Sequence, residues 1–546
     1  MNVWYAFLNA LGIHMFEMDF MKNALLAVLL LGPLFGLLST MIVTGKMSFF
    51  SDALGHSGFT GIAIGVLCGA VQPIYFAVGL SVLFALLFSF VRSRTSQSAD
   101  TIIGVFSSTA VALGIFIVTL GGRSFTKFNR YLIGDILSVT PAEIGFLALV
   151  LLFLLVGTGV YFTVRLRGVQ VRRFGEGFRR VFGGFTLRGK KADAEGMSSF
   201  QALTTAIAAQ VGTGNITGCA TALVSGGPGA LFWTWMSAFF GMATIYAEAV
   251  LAQHYKTTVN GHVTGGPAYY IRAAFKGKLG KILATVFSVL IILALGFMGN
   301  MVQSNSIGDA FHNAFGVNRL VVGVVVAAIA AFIFLGGVQR IAAVTEKIVP
   351  VMAAFYIVGC IVILVMNAKV LPNALKQVFV LAFQPQAMAG GLAGVTVQQA
   401  MRFGVARGLF SNEAGLGSTP HAHALAKVER PQDQGAVAIL GVFVDTFVVL
   451  TLTGLVLITS GLIPQGMTGT SLTQAAFSQA FGGFGPIFIA VCMFFFAFST
   501  IIGWYFFGQS NFKALFGEKL LPVYSIIVVA FILVGSTLKV DLVWAL

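Results

Sequence analysis

Apolar runs of about 20 residues recur from one end of this 546-residue chain to the other, separated by short polar turns. Runs of that length cross a bilayer as helices, because hydrocarbon offers no partner to an open backbone N–H or C=O, and a membrane strand needs only about 9–11 residues. The chain therefore reads as an all-α polytopic membrane protein. With 57% hydrophobic and 9% charged residues, no soluble domain is evident. The formal net charge of +15 resides in short loops between the apolar runs, so it reports topology rather than a nucleic-acid face. Cys68, Cys219, Cys360 and Cys492 all fall inside apolar segments without metal-ligand spacing and read as small core residues. The first residues lack a basic region and a small-residue cleavage site, so no removed signal peptide is expected.

Residues 1–22 are mixed in character, with Trp4, Tyr5, Phe7 and Phe16 near Glu17 and Asp19. Helices are expected at 23–45, 57–70, 72–92, 101–121 and 140–163. Asp52 and His56 lie four apart in Met47-Ser48-Phe49-Phe50-Ser51-Asp52-Ala53-Leu54-Gly55-His56-Ser57, which puts a carboxylate and an imidazole on one helical face. Such a pair could ligate a passing divalent metal, or be no more than a helix-start Asp and a hydrogen-bonded His. Together with Tyr131-Leu132-Ile133-Gly134-Asp135-Ile136-Leu137, these segments resemble the membrane subunit of zinc/manganese ABC importers over residues 20–152. That resemblance implies Asp52 and His56 on a metal path and a separate ATPase partner, since this chain carries no GxxxxGK[ST] motif. It stops before the further helices such a subunit needs.

Residues 164–197 then hold nine Lys/Arg against Glu176, Asp193 and Glu195, which marks a cytoplasmic loop and fixes the orientation of the helices after it. Helices are expected at 198–223, 228–254, 281–312, 319–337, 343–367, 386–410, 435–461, 484–507 and 521–538. Every second turn in that series collects basic residues, among them Lys256, Arg272, Arg340, Lys427, Arg430 and Lys513. Gly265-Gly266-Pro267 reads as a turn leading into an interfacial helix.

Three polar clusters interrupt these apolar runs. In the first, Val211-Gly212-Thr213-Gly214-Asn215 places poor helix formers where a helix should be at mid-depth. This is either a broken helix lining a cavity or a glycine-packed interface. A break would free carbonyls for a cation and N–H groups for a carboxylate. The second runs from Asn300 through Gln303 to Ser306. In the third, Phe496, Ser499 and Thr500 share one helical face at i, i+3 and i+4, with Trp504 a turn beyond. Two hydroxyls and a carbonyl there, joined by carbonyls at Ala208 and Val211, would give five oxygens suited to Na⁺; back-bonding to the preceding turn is the bland alternative. A fourth stretch, Arg407 to Ser418, is either a second broken helix or a capped loop, with Gly415 and Gly417 as turn residues. His421 and His423 beyond it read as solvated.

The segments Val211-Gly212-Thr213-Gly214-Asn215, Gly226-Gly227-Pro228-Gly229, Gly265-Gly266-Pro267, Ser411-Asn412-Glu413-Ala414-Gly415 and Phe498-Ser499-Thr500-Ile501-Ile502-Gly503-Trp504 resemble, in order, the alanine/glycine:cation symporter family, from residue 153 to the end. The resemblance implies a LeuT-type inverted-repeat transporter core, preceded by a partial ABC-permease helical bundle at 1–152. It implies a small amino acid held by Gly212, Thr213, Gly214, Asn215, Gln303, Phe410, Thr500 and Trp504, with Trp504 limiting side-chain size. It also implies Na⁺ at Ala208, Val211, Phe496, Ser499 and Thr500, and leaves Glu413 without a role. Asp541-Leu542-Val543-Trp544-Ala545-Leu546 resembles a loop into one more helix, so the last core helix is expected to be missing.

The expected activity is therefore sodium-coupled symport of alanine or glycine in a bacterial-type cytoplasmic membrane, without catalysis, an organic cofactor or a nucleic-acid partner. The alternatives are a divalent-metal ABC importer subunit at Asp52 and His56, or a non-functional hybrid of the two.

Overall fold

The computed structural model describes residues 5, 8, 18–28, 31, 50–68, 74–95, 99–120, 154–182, 196–259, 261–383, 397–463 and 467–538. The chain forms two compact units, Met1–Leu151 and Leu152–Leu546. In the first, α1 (Phe50–Leu67), α2 (Ile74–Arg94) and α3 (Ala99–Leu120) pack together. Thr60 on α1 donates its hydroxyl to the Ala110 carbonyl of α3 at 2.6 Å, and Phe84 of α2 meets Phe106 of α3 edge-on. The helix expected at 23–45 is present over residues 23–28, within a helical stretch that begins at residue 19; residues 29–30 and 32–45, the Tyr131–Val139 stretch and the first part of the 140–163 helix lie outside the described residues. Asp52 and His56 both belong to α1.

The second unit opens with α4 (Leu154–Arg165), a helical turn at Val169–Arg172 and α5 (Phe174–Phe182). The first polar cluster does break its helix. α6 (Ser199–Gln210) ends at Val211 and Gly212, a π-turn spans Gly214–Gly218, and α7 (Cys219–Gly226) completes the crossing. A capping box starts α6: the Gln201 amide N–H donates to the Ser198 hydroxyl, and the Ser198 N–H donates to the Gln201 side chain. α8 (Gly229–His254) returns. A hairpin of β1 (Thr257–Val259) and β2 (His262–Thr264), which hydropathy gave no sign of, leads to α9 (Pro267–Ala274), the short helix expected after Gly265-Gly266. Next come α10 (Lys278–Phe315), α11 (Arg319–Phe334), α12 (Gly337–Met366) and α13 (Leu371–Leu381).

The series then repeats in order. α14 (Val397–Asn412) ends in an unwound stretch, with Glu413, Gly415 and Gly417 all at positive φ, before α15 (Pro420–Ala424). This resolves the Arg407–Ser418 stretch as a second broken helix. It is followed by long α16 (Pro431–Ser460), short α17 (Gly469–Phe481), long α18 (Phe484–Phe516) and α19 (Leu521–Thr537). Broken helix, long helix, short helix, long helix is also the order from α6 to α10. The first series crosses an odd number of times, so the second starts from the opposite face. The expected α8 and α19 differ from those observed by one residue each, whereas α18 runs nine residues beyond its expected end at 507.

Between apolar helices in lipid, close packing replaces the hydrophobic drive, so small residues decide where backbones meet. Gly503 on α18 lies flat against α6, where an added Cβ would sit 2.9 Å from that of Ala209. α12 holds the other side of α6, with Thr205 and Thr345 hydroxyls 3.1 Å apart and Gln201 donating to Glu346 at 3.0 Å. On the cytoplasmic side, Met197 exchanges backbone hydrogen bonds with Leu425 and Lys427, both 2.9 Å. The Gln253 amide at the end of α8 donates to the carbonyls of His423, Ala424 and Ala426. The inner ends of both broken helices and of α8 are thus tied together.

Replacing Gly503 with Val must push α18 from α6, and overpacking of this kind costs about 1–3 kcal/mol. The variant should unfold at lower temperature in detergent than the parent; an unchanged midpoint would mean that the two backbones are not in contact there.

Candidate functional site

Both breaks fall in the middle of the second unit, where Gln210, Thr213, Asn215, Gln303, Ser411, Asn412, Glu413, Asp445, Ser499 and Thr500 are all buried. Intramembrane polar and charged groups at such density mark a site rather than a packing interface. Two clusters share the α6 break.

The first joins α6 to α18. Thr500 Oγ1 lies 3.0 Å from the Ala208 carbonyl oxygen, 3.4 Å from that of Val211 and 3.0 Å from that of Phe496. Ser499 Oγ lies 3.3 Å from the Ala208 oxygen and 2.8 Å from the Phe496 oxygen. The hydroxyls do back-bond to the preceding turn, as the bland reading has it, and they also reach across to α6. The chain end of α6 makes this possible: a regular helix would have consumed the carbonyls of Ala208 and Val211. Five uncharged oxygens from three backbone and two side-chain positions form a hard-donor cradle suited to a small monovalent cation.

The second cluster lies on the other side of Gly212. The Gly212 N–H donates to Asn215 Oδ1 at 2.9 Å, and the Thr213 N–H donates to Gln303 Oε1 at 3.2 Å. Gln303 comes from α10 just after its π-segment at Ile292–Gly299. Thr213 Oγ1 is buried without a hydrogen-bond partner. Gly214 faces Ser411 of α14, 3.2 Å from where a Cβ would stand. Trp504 and Phe410 meet edge to face with ring centroids 6.1 Å apart, and the indole ring lies against Gly299. Of the residues expected around a substrate, Gly212, Thr213, Asn215, Gln303 and Thr500 converge directly, while Trp504 and Phe410 form an aromatic wall.

Three carboxylates organise this region, two of which the reading of the sequence passed over. Asp445, in the π-segment Phe443–Leu450 of α16, accepts from Asn215 Nδ2 at 2.7 Å, Ser411 Oγ at 2.9 Å and Thr446 Oγ1 at 2.8 Å. It therefore ties the first break to the second. Glu248 of α8 accepts the backbone N–H groups of Gly415 and Gly417 at 3.1 and 3.0 Å, satisfying the unwound stretch after α14. Glu413 accepts from the Trp504 indole N–H and the Ser418 hydroxyl, which gives it the role the sequence left open. The clue for Asp445 and Glu248 was present: each is a single acid inside an apolar run.

His421 and His423 are not solvated; both are buried. His421 Nδ1 bonds to the Ser418 carbonyl at 2.7 Å and Nε2 to Asn511 at 2.8 Å, and His423 pairs with Gln434 at 2.8 Å. The break turns this polar segment inward, which its composition alone disguises. Beneath His421, a cavity of about 290 Å³ is lined by His262, Gln339, Gln509, Ser510 and Lys513.

Asp52 and His56 fall in the first turns of α1; the Asp52 side chain lies outside the described residues. Among the described residues, no group of three or more His, Cys, Asp or Glu is placed to hold a metal ion.

Comparison with known proteins finds two family patterns that overlap at residues 133–167. The sequence pattern of the ABC 3 transport family matches residues 17–167, and that of the sodium:alanine symporter family matches residues 133–546. The sodium/alanine symporter AgcS of Methanococcus maripaludis is 44% identical over 403 residues, covering 72% of this chain and 86% of that protein. The amino-acid carrier protein AlsT of Bacillus subtilis is 42% identical over 398 residues, covering 72% and 82%. The probable sodium/glutamine symporter GlnT of the same organism is 42% identical over 399 residues, covering 72% and 81%. Among solved structures, MhsT in complex with L-phenylalanine gives a TM-score of 0.46 at 14% identity, over 64% of this chain and 81% of MhsT. A Na⁺-coupled sialic acid symporter gives 0.44 at 13%, over 71% and 81%. With its family pattern matched over 133–546 and its two broken helices in place, this multi-pass membrane protein belongs to the sodium:alanine symporter family.

Proposed function

We propose that the chain carries alanine or glycine together with Na⁺ across a bacterial-type cytoplasmic membrane by alternating access. The observation that carries this reading is that one break, at Val211–Gly212, feeds both clusters: its carbonyls face Ser499 and Thr500, and its N–H groups face Asn215 and Gln303. The names and identity of AgcS and AlsT support the same reading.

In this mechanism no covalent bond changes. Na⁺ replaces the hydroxyl protons as the partner of the Ala208, Val211 and Phe496 carbonyls, with Ser499 and Thr500 completing its shell. The substrate carboxylate takes the N–H groups of Gly212, Thr213 and Gly214 and the free Thr213 hydroxyl, displacing the side-chain oxygens of Asn215 and Gln303. Backbone N–H groups at a half-helix start favour an anion there. Ion and substrate stabilise the same backbone geometry from two sides, so each raises the affinity for the other. Phe410 and Trp504 close the pocket around the side chain, and the cavity beside Lys513 is the route to the cytoplasm. Residues 153–546 form the symporter domain, and 1–152 a partial metal-permease-like region whose Asp52 and His56 take no part in amino-acid transport.

Labelled alanine should accumulate in proteoliposomes bearing this chain only under an inward sodium gradient. No uptake with or without the gradient would leave the chain a non-functional hybrid. Thr500→Val should lower sodium-dependent uptake at least about tenfold, which corresponds to ~1.4 kcal/mol, and undiminished uptake at low sodium would remove that hydroxyl from the mechanism. Asp445→Leu strands the donors of Asn215, Ser411 and Thr446, at about 1–3 kcal/mol for each one left unpaired. It should therefore lower both the unfolding temperature and alanine uptake, with Asp445→Asn between it and the parent; equal stability of all three would deny Asp445 its tying role. Trp504→Ala should let glutamine compete with alanine, and strict selectivity in that variant would show that the indole does not set the size limit.

A further inference from the structure

The stretch from the end of α4 through α5 serves no purpose in the transport site, yet its surface is unusual. Residues 164–182 carry six arginines, Arg165, Arg167, Arg172, Arg173, Arg179 and Arg180, against one acid, Glu176. That acid is already taken: Glu176 pairs with Arg173 at 3.1 Å and with Arg180 at 3.4 Å, and Arg180 also pairs with Asp433 at 2.9 Å. Arg165, Arg167, Arg172 and Arg179 are exposed and meet no carboxylate among the described residues.

α5 has three distinct stripes. Gly177 and Val181 are buried, Gly177 abutting the Ala436 carbonyl, and Phe174 meets Phe443 edge-on at 4.8 Å. This stripe fixes α5 alongside α16, from Phe443 back to Asp433 near its start. The second stripe, Glu176 and Arg180, is ion-paired toward Asp433 at the same helix end. The third is open: Phe178 and Phe182 are 53% and 51% exposed with ring centroids 4.5 Å apart, and Arg179 lies beside them. Val171, and Val164 at the end of α4, are 66% and 73% exposed, each next in sequence to an arginine, Arg172 and Arg165. Because the packed stripe cannot rotate, the aromatic rings cannot turn inward. The start of α16 marks the depth of the cytoplasmic boundary, since Lys427 and Arg430 precede it.

Bulky exposed apolar groups interleaved with cations that meet no carboxylate among the described residues, beside the cytoplasmic end of α16, match the border between acyl chains and negatively charged headgroups. Arginine reaches from such a helix to a phosphate while its stem covers apolar surface. We propose that the α4–α5 segment is a docking site for anionic phospholipid, with Phe178 and Phe182 among the acyl chains and Arg172 and Arg179 on the headgroup phosphate. A soluble acidic partner would match the charge and leave the aromatic stripe bare.

The test is native mass spectrometry of the full chain released from nanodiscs of equal phosphatidylglycerol and phosphatidylcholine. Retained phosphatidylglycerol should fall by roughly fivefold or more in the double variant Arg172→Gln with Arg179→Gln. It should persist in Arg172→Lys with Arg179→Lys, which keeps the charge, and in a control pair, Lys276→Gln with Lys278→Gln, elsewhere on the cytoplasmic side. Unchanged retention in the glutamine pair, or an equal fall in the control pair, would overturn the proposal. Displacement of phosphatidylglycerol by excess inorganic phosphate would also overturn it, by showing a site for a free anion. Unlike uptake, this readout does not depend on transport, so it stands or falls separately from the symport reading.

Discussion

Backbone groups freed inside a membrane must find partners within the protein, and the whole second unit is arranged around meeting that demand twice. At the first break the Ala208 and Val211 carbonyls are met by Ser499 and Thr500, and the Gly212 and Thr213 N–H groups by Asn215 and Gln303. At the second, the Gly415 and Gly417 N–H groups are met by Glu248. In each case the satisfying group comes from another helix or from a residue beyond the break. Those partners are side chains, which exchange for a ligand more readily than a helical ladder does. A structural requirement of the bilayer thus produces exchangeable binding positions.

Asp445 connects the two solutions. Its carboxylate is shared between Asn215 beyond the first break and Ser411 before the second, and it sits in a π-segment. The other two π-segments among the described residues, Gly214–Gly218 and Ile292–Gly299, also border the polar centre, the second ending just before Asn300 and Gln303. A π-turn inserts one residue and so rotates the following side chains relative to a regular helix. Here those rotations bring amide and carboxylate groups toward the centre.

Membrane spans were legible because length and apolarity are what the bilayer imposes: α8 and α19 were placed to within a residue. The α6 break was legible because glycine, threonine and asparagine are poor helix formers, and the Phe496–Ser499–Thr500 face because 3.6-residue periodicity is a local property. What could not be read was anything set by distant partners. The β1–β2 hairpin is polar and short, with no hydrophobic period to announce it. Glu413 is held by Trp504, 91 residues on, as well as by nearby Ser418, and Glu248 by glycines 167 and 169 residues away. His421 and His423 have the company of loop residues in sequence, and only the inward turn of their segment buries them.

The cytoplasmic tie made by Met197 and Gln253 has a mechanical meaning. Anchored to each other at their inner ends, the lower arms of the two broken helices cannot swing independently, nor can α8 leave them. The compliant points are the elbows at Val211–Gly212 and 413–419, where no helical ladder resists bending. The three ends form one lever with its pivots at the polar centre, so whatever occupies those pivots stiffens or releases the entire inner face at once.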